Sequence, residues 1–214
     1  MVRVAMRGAL MLALFAFLGT TLVAVTYEGT RDQIAENERL ALLKSLTQLV
    51  PTSQYDNSLL EDQLELPADD LLGTSHPTQA YLAKNGERVH TVLLTPTTSE
   101  GYNGTINLLV AIRQDGSLVG VRVLNHSETP GLGDFIEIKR SEWIHSFIGH
   151  SLSNMGKKQW QVKKDGGIFD QFTGATITPR AIVKAVYKSL LYFEQHREML
   201  IQEEREQQEG ANER

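Results

Sequence analysis

Cysteine is absent from all 214 residues of this sequence. Its absence excludes disulfide bonds, thiolate zinc sites and cysteine-ligated iron–sulfur clusters from the chain. Attachment of haem through a Cys-x-x-Cys-His segment is excluded for the same reason. Redox chemistry would therefore need an organic cofactor, a haem bound in another way, or partner subunits.

A surplus of basic residues is also lacking, since 21 lysines and arginines face 26 aspartates and glutamates and the formal net charge is −5. No nucleic-acid partner is expected, because a phosphate backbone requires a basic surface. Glycine-rich nucleotide loops are missing as well: there is no Walker A loop, and Gly131-x-Gly133 lacks the third glycine of a dinucleotide fingerprint. No nucleophile, base and orienting group can be grouped from the sequence, so no stand-alone catalytic site is expected.

One long apolar run lies near the N-terminus. Residues 8–27 carry no charge, and a helix of about 20 apolar residues spans the hydrocarbon core of a bilayer. Arg3 and Arg7 precede the run and Glu28 follows it, so residues 1–7 are predicted to stay in the cytoplasm. A cleaved signal peptide is the alternative, but no convincing small-x-small cleavage site follows the run. We predict an uncleaved transmembrane anchor, with the remaining chain in the periplasm of a Gram-negative cell.

Residues 28–75 are predicted to connect the anchor to a folded domain. Apolar residues at helical spacing before Pro51 predict a helix over residues 30–50, which could pack on the domain or on a partner. Residues 51–77 are polar and rich in turn-forming residues, so a surface connection is expected there.

Two turn signals predict an antiparallel sheet. Asn85-Gly86 and Asp115-Gly116 are dipeptides typical of hairpins, because both central residues of such a turn need positive φ. The flanking segments carry apolar residues in alternation, as half-buried strands do. The predicted strands are residues 79–84, 87–95, 104–113 and 118–125.

An apolar stripe over Pro179–Met199 predicts a final helix that packs on the sheet. Trp160 and Phe169 could belong to the core or stack on a cofactor, and their size favours the core. We therefore predict an α+β domain, an antiparallel sheet with packed helices, over residues 76–201. Residues 202–214 contain five glutamates and no large apolar side chain, which predicts a disordered acidic tail.

Residues 170–179, Asp-Gln-Phe-Thr-Gly-Ala-Thr-Ile-Thr-Pro, hold the most informative motif. Thr178-Pro179 is typical of a helix start, with the Thr178 hydroxyl as the expected N-cap. Thr176 would then lie just outside a helix N-terminus, where free N–H groups and the helix dipole favour a phosphate. The small residues Gly174-Ala175 leave room for a bulky group at the Thr176 hydroxyl. A simple turn that leads into a capped helix remains the alternative on local chemistry alone.

A second block, His-Ser-Glu-Thr-Pro-Gly-Leu-Gly, occupies residues 126–133. Pro130 fixes φ and Gly131 tolerates the positive φ that follows, which predicts a type II turn. The turn could simply end a strand, and His126 with Glu128 supplies too few ligands for a metal site.

These blocks resemble those of a known family. Asp-x-x-Ser/Thr-Gly-Ala-Thr is similar to the flavinylation motif of proteins that carry FMN as a phosphoester on the last threonine. Gly-Tyr-x-Gly, at residues 101–104, and the block at residues 126–133 match the family in the same order. The chain most resembles the G subunit of the Rnf (Rsx) ion-translocating electron transport complex, and after it the C subunit of the sodium-pumping NADH:quinone reductase.

The resemblance implies covalent FMN on Thr176, installed by a separate FAD-dependent FMN transferase. It also implies that the motif residues around the acceptor are read by that transferase and that the turn of the second block lies against the flavin. The residues concerned are Asp170, Thr173, Gly174 and Ala175 in the motif and His126, Glu128, Thr129, Pro130, Gly131, Leu132 and Gly133 in the second block.

The function implied by the resemblance is electron relay among membrane subunits of a redox-driven ion translocase in the cell inner membrane. The C subunit of a sodium-pumping quinone reductase is one alternative. A membrane-anchored assembly subunit without cofactor is another, and a flavin-bearing sensor a third, although a sensor would be expected to carry an output domain.

Overall fold

A computed structural model describes residues 2–202, without the side chain of Gln202. The tail predicted at residues 202–214 thus lies, from residue 203 onward, outside the described residues. Residues 2–42 form one structural unit, and the chain from Leu43 onward forms a second.

Helix α1 runs without interruption from Val2 to Leu49. By length and composition it is able to cross a membrane, and its apolar window is exposed. The predicted anchor and the predicted helix over residues 30–50 are therefore parts of one helix. Its last turn belongs to the second unit, where Leu46, Leu49 and Val50 are buried, so this end packs on the domain. Pro51 follows at once and cannot continue the helix.

Six antiparallel strands form a single sheet. They are β1 Gln63–Leu66, β2 Thr78–Asn85, β3 Arg88–Leu94, β4 Thr97–Gly101, β5 Gly104–Arg113 and β6 Leu118–Asn125. The order is β1-β2-β3-β5, and β4 and β6 also pair with β5. Both predicted hairpins are confirmed, with Gly86 at φ +59° and Gly116 at φ +85°. The expectation that both residues of each dipeptide take positive φ is wrong, because Asn85 and Asp115 do not, and Asn85 pairs with Arg88 as the last residue of β2. The α+β fold class is confirmed too.

The surface connection expected at residues 51–77 is wrong in part, because β1 lies within it. Leu66 of β1 pairs with Thr78 of β2, and Leu59, Leu66 and Leu72 are almost completely buried. A four-residue strand is too short to show a reliable alternation. The three leucines are also separated by polar residues, so they form no recognisable periodic pattern.

Strand β4 was also not predicted. Its sequence, Thr-Thr-Ser-Glu-Gly, has no apolar alternation, yet Thr97 and Thr98 pair with Asn107 and Ile106 of β5. Gly104, at φ +103°, closes the hairpin between the two strands. This hairpin carries the Gly-Tyr-x-Gly block.

Helix α2 runs from Ile177 to Gln195, and a short helix α3 follows from Arg197 to Gln202. The single predicted helix thus begins two residues earlier than expected and is divided at His196. Its predicted stripe is buried against the sheet and consists of Ile182, Val186, Leu190 and Phe193. Trp160 and Phe169 are 4% and 1% exposed, which confirms their interpretation as core residues. Between β6 and α2 lie four short 3-10 helices, at Asp134–Ile136, Trp143–Phe147, Lys157–Gln159 and Lys163–Asp165.

Candidate functional site

The motif forms a tight turn that leads directly into α2. The N–H of Ala175 donates to the carbonyl of Phe172 at 3.1 Å, and Gly174 has φ +81°. Thr173 and Gly174 are exposed, and Thr176 is half-buried. We call residues 172–176 the acceptor loop.

The prediction that Thr178 caps the helix is wrong. α2 begins at Ile177, so that Thr176 is the residue before the helix, and no side chain caps it. Thr178 is completely buried, and its hydroxyl donates to Glu128 Oε2 at 2.5 Å. Pro179 is tolerated at the third helical position because N–H groups of the first turn have no partner within the helix. The Thr-Pro signal therefore located the helix start correctly to within two residues but misassigned the hydroxyl.

The Thr176 hydroxyl has no hydrogen-bond partner within the part of the chain that the structure describes. The next two residues, Ile177 and Thr178, supply first-turn N–H groups that have no carbonyl acceptor within the helix. These groups and the helix dipole place positive potential beside the hydroxyl. Thr176 thus combines an unengaged nucleophilic oxygen with surroundings that favour an anion.

A buried carboxyl group joins the three sequence blocks. Glu128 is 4% exposed; its Oε1 accepts from the N–H of Asn103 at 3.1 Å and its Oε2 from Thr178. A Cβ on Gly101 would lie 2.7 Å from Oε1, and one on Gly133 would lie 2.7 Å from Oε2. The Glu128 side chain therefore accounts for Gly133, and at Gly101 it excludes a side chain together with the carbonyl of Gly104, which lies even closer to the same point.

His126 fixes the backbone of Glu128 from the other side. Its Nδ1 accepts from the N–H of Glu128 at 3.0 Å, and its Nε2 lies 2.8 Å from Glu137 Oε1. Acceptance at Nδ1 leaves the proton of a neutral ring on Nε2, which can then donate to Glu137. Within residues 2–202 there is no group of three or more potential ligands arranged to hold a metal.

The turn of the second block lies against the acceptor loop. The N–H of Leu132 donates to the carbonyl of Thr129 at 3.1 Å, and Gly131 has the predicted positive φ, +77°. The N–H of Gly131 is held by Asp134 Oδ1 at 2.7 Å. The Leu132 side chain lies 3.5 Å from the point where a Cβ on Gly174 would be. Two blocks about 40 residues apart are therefore adjacent at the acceptor loop.

The start of the motif is tied to the turn at Lys163–Asp165. Asp170 pairs with Lys163 at 2.6 Å, and its carbonyl accepts from Trp143 Nε1 at 2.8 Å. Arg180, in the first turn of α2, donates bidentate hydrogen bonds to the Asp165 carboxyl group at 2.6 and 2.9 Å. Its hydrogen bond lowers the pKa of the Asp165 carboxyl below the ordinary value.

The predicted site residues therefore divide into two groups. Pro130, Gly131 and Leu132 are exposed beside the acceptor loop, whereas Glu128 and Gly133 are buried behind it. Thr129 is half-buried. Sequence reasoning missed the link from Thr178 to Glu128 and the contact of Trp143 with the motif. No local pattern could have revealed either, because the partners lie 50 and 27 residues apart.

Residues 101–191, which contain all three blocks, match the family model of the FMN-binding domain. Residues 1–49, which end where α1 ends, match the RnfG N-terminal region. The G subunit of the ion-translocating oxidoreductase complex of Pseudomonas aeruginosa UCBPP-PA14 is 47% identical over 92% of each chain. The G subunits of the same complex from Shewanella loihica and Vibrio cholerae are 44% and 45% identical over at least 91% of each chain. The chain belongs to this family, the G subunits of ion-translocating oxidoreductase complexes, as its resemblance implied.

Proposed function

We propose that this chain is the membrane-anchored flavoprotein subunit of an ion-translocating oxidoreductase complex and relays electrons through FMN attached by a phosphoester to Thr176. The FMN-binding domain and the names of its relatives support the electron-transport role. The observation that carries the attachment site is the burial and the hydrogen bonding of the threonine hydroxyl groups in the motif. Thr178 is completely buried and its hydroxyl donates to Glu128, whereas Thr176 is half-buried and its oxygen makes no hydrogen bond within residues 2–202. The exposed Thr173 makes none there either, and the resemblance of the motif, whose last threonine is Thr176, favours Thr176 over Thr173.

The residues at the acceptor loop fit a phosphoester. First-turn N–H groups of α2 can bind its remaining anionic oxygen. Gly174 has no side chain to obstruct an approach to Thr176, and Gly131 has open space on the side where a Cβ would point. The exposed residues Pro130 and Leu132 would then lie against the flavin, as part of the cofactor site.

FMN supplies reversible redox chemistry that no side chain of this cysteine-free chain can supply. The protein's own contribution is to hold the carrier in place and to orient it. A phosphoester keeps the effective concentration of the cofactor high even where free flavin is scarce. An FAD-dependent FMN transferase would make the bond, with Thr176 Oγ as nucleophile, AMP as leaving group and the hydroxyl proton passing to the transferase. Asp170, Thr173, Gly174 and Ala175 are the residues that this enzyme would read.

The proposal is tested on the full-length chain purified from cells with and without the transferase. With the transferase, the protein should be yellow after denaturation, and its mass should exceed that of the sequence by FMN less one water. A chain of unmodified mass from transferase-containing cells would instead favour a cofactor-free assembly subunit.

We also propose that the domain after α1 is periplasmic and that α1 holds it to the inner membrane beside the other subunits of the complex. Arg3 and Arg7 before the apolar run support this orientation. A reporter that is active only in the periplasm, fused after Ile201, is expected to be active. Activity of a cytoplasm-only reporter at the same position would reverse the topology.

A further inference from the structure

Exposed apolar side chains lie beside the acceptor loop, among them Leu132, Phe135 and Ile177, the first residue of α2. Leu132 is 44% exposed and Phe135 is 36% exposed. Phe135 is also the most exposed of the five phenylalanines from residue 43 to residue 202, since the others are buried or half-buried. Exposed apolar surface of this kind, next to a defined functional residue, is typical of a ligand-binding surface.

Phe135 is held in place by a row of aromatic rings that leads into the core. Its ring centroid lies 5.7 Å from that of Phe172, which is the first residue of the acceptor loop. Phe172 lies 5.2 Å from Trp143, and Trp143 lies 5.4 Å from the buried Phe147. The Phe135 carbonyl also accepts a hydrogen bond from Ser141 at 2.6 Å. The exposed ring is therefore a fixed surface, backed by rings whose positions the core determines.

Leu132 joins this surface to the attachment residue. Its side chain lies 3.5 Å from the point where a Cβ on Gly174 would be, and Gly174 is two residues before Thr176. Phe172, the neighbour of Phe135, is four residues before Thr176. Both exposed side chains thus border the loop to which the flavin would be tethered.

We infer that the isoalloxazine ring of a flavin on Thr176 packs against Leu132 and the exposed ring of Phe135, an inference that rests on the proposed function. The isoalloxazine ring is planar, aromatic and largely apolar, so it can stack in offset or tilted geometry on a phenylalanine. The tether confines it to the neighbourhood of the acceptor loop, where these two side chains are exposed. Phe135 is then a cofactor contact outside the three sequence blocks.

The test uses the full-length chain, flavinylated in cells and purified in detergent. Phe135→Ser and Leu132→Ser are compared with the control Ile148→Ser, which alters a side chain that is 50% exposed and lies beside Gly120, near the start of β6. Two readouts report on the ring: quenching of flavin fluorescence by iodide, and circular dichroism in the visible flavin bands. Samples are matched by the flavin content of their denatured peptides.

Iodide quenching should rise and visible circular dichroism should weaken in both site variants, but not in Ile148→Ser. The ratio of packed to free ring should fall by about three- to tenfold in Phe135→Ser, the factor that corresponds to one lost aromatic contact. Phe135→Leu, which retains an apolar side chain against Phe172, covers the case in which the serine variant does not fold.

Wild-type values in every folded variant, with flavin mapped to Thr176, would overturn the inference and leave the proposed function intact. A folded Phe135→Leu chain without flavin would assign this surface to docking of the transferase and would overturn it equally. An unmodified wild-type chain would mean that the proposed function itself has failed.

Discussion

Replacement of Thr176 by alanine is expected to abolish covalent flavin while the fold is retained. The Thr176 hydroxyl makes no hydrogen bond in residues 2–202 and does not cap α2, so its loss should change stability by no more than about 0.5 kcal/mol. The phosphoester, by contrast, cannot form without the oxygen. Fluorescence of the denatured band on a gel, peptide mass and a thermal melt of the same sample measure both effects.

Matched variants separate the three hydroxyl groups of the motif. Thr176→Ser restores an oxygen at the same position and should recover flavin attachment. Thr173→Ala removes an exposed side chain that the transferase is proposed to read, so it should lower the yield without moving the flavin. A fluorescent Thr176→Ala band, or a flavin peptide that maps to Thr173 or Thr178, would contradict the assignment.

The parts of the fold that sequence could predict are those that short-range physics determines. Asn85-Gly86 and Asp115-Gly116 predicted hairpins, and the structure has both, each with its glycine at positive φ. The uncharged run at residues 8–27 predicted a helix of membrane length, and α1 contains it. The order of the three blocks matched a family, and the FMN-binding domain covers them all.

What sequence could not predict depends on contacts between distant segments. β4 has no apolar alternation, and it is a strand because its backbone pairs with that of β5. Thr178 was predicted to cap the helix because it precedes Pro179, a residue that is common in the first turn of a helix. In the structure the Thr178 hydroxyl instead donates to Glu128, 50 residues earlier, in the core.

The three blocks have one structural explanation in common, which is the enclosure of the Glu128 carboxyl group. Gly101 and Gly133 leave it space, and Asn103 and Thr178 donate to it. Each block therefore contributes to one buried polar contact that aligns the β4–β5 hairpin, the Pro-Gly turn and the start of α2. This alignment positions the acceptor loop, because the loop leads directly into α2.

The second large effect is expected at this contact. Thr178→Val keeps the shape of the side chain and removes only the hydroxyl, so that Glu128 Oε2 loses its donor while still buried. An unmade hydrogen bond to a buried carboxyl group should lower the free energy of unfolding by about 2 kcal/mol. For a domain of this size the melting temperature should fall by about 4–8 °C. Thr173→Val, an exposed control, should stay within about 0.5 kcal/mol of wild type.

A double-mutant cycle with Glu128→Gln isolates the contact. Glutamine has one carbonyl oxygen, which can accept from the N–H of Asn103, and its amide nitrogen can only donate to the Thr178 oxygen. The hydrogen bond that Thr178 donates to Glu128 is therefore lost. The two substitutions should therefore be non-additive, with a coupling of about 1–2 kcal/mol in denaturant unfolding. Thr178→Val should still carry covalent flavin, because Thr176 keeps its hydroxyl. Additive effects would show that Thr178 and Glu128 are not energetically coupled. Loss of flavin from a folded Thr178→Val chain would show that the Thr178 hydroxyl also acts on flavin attachment.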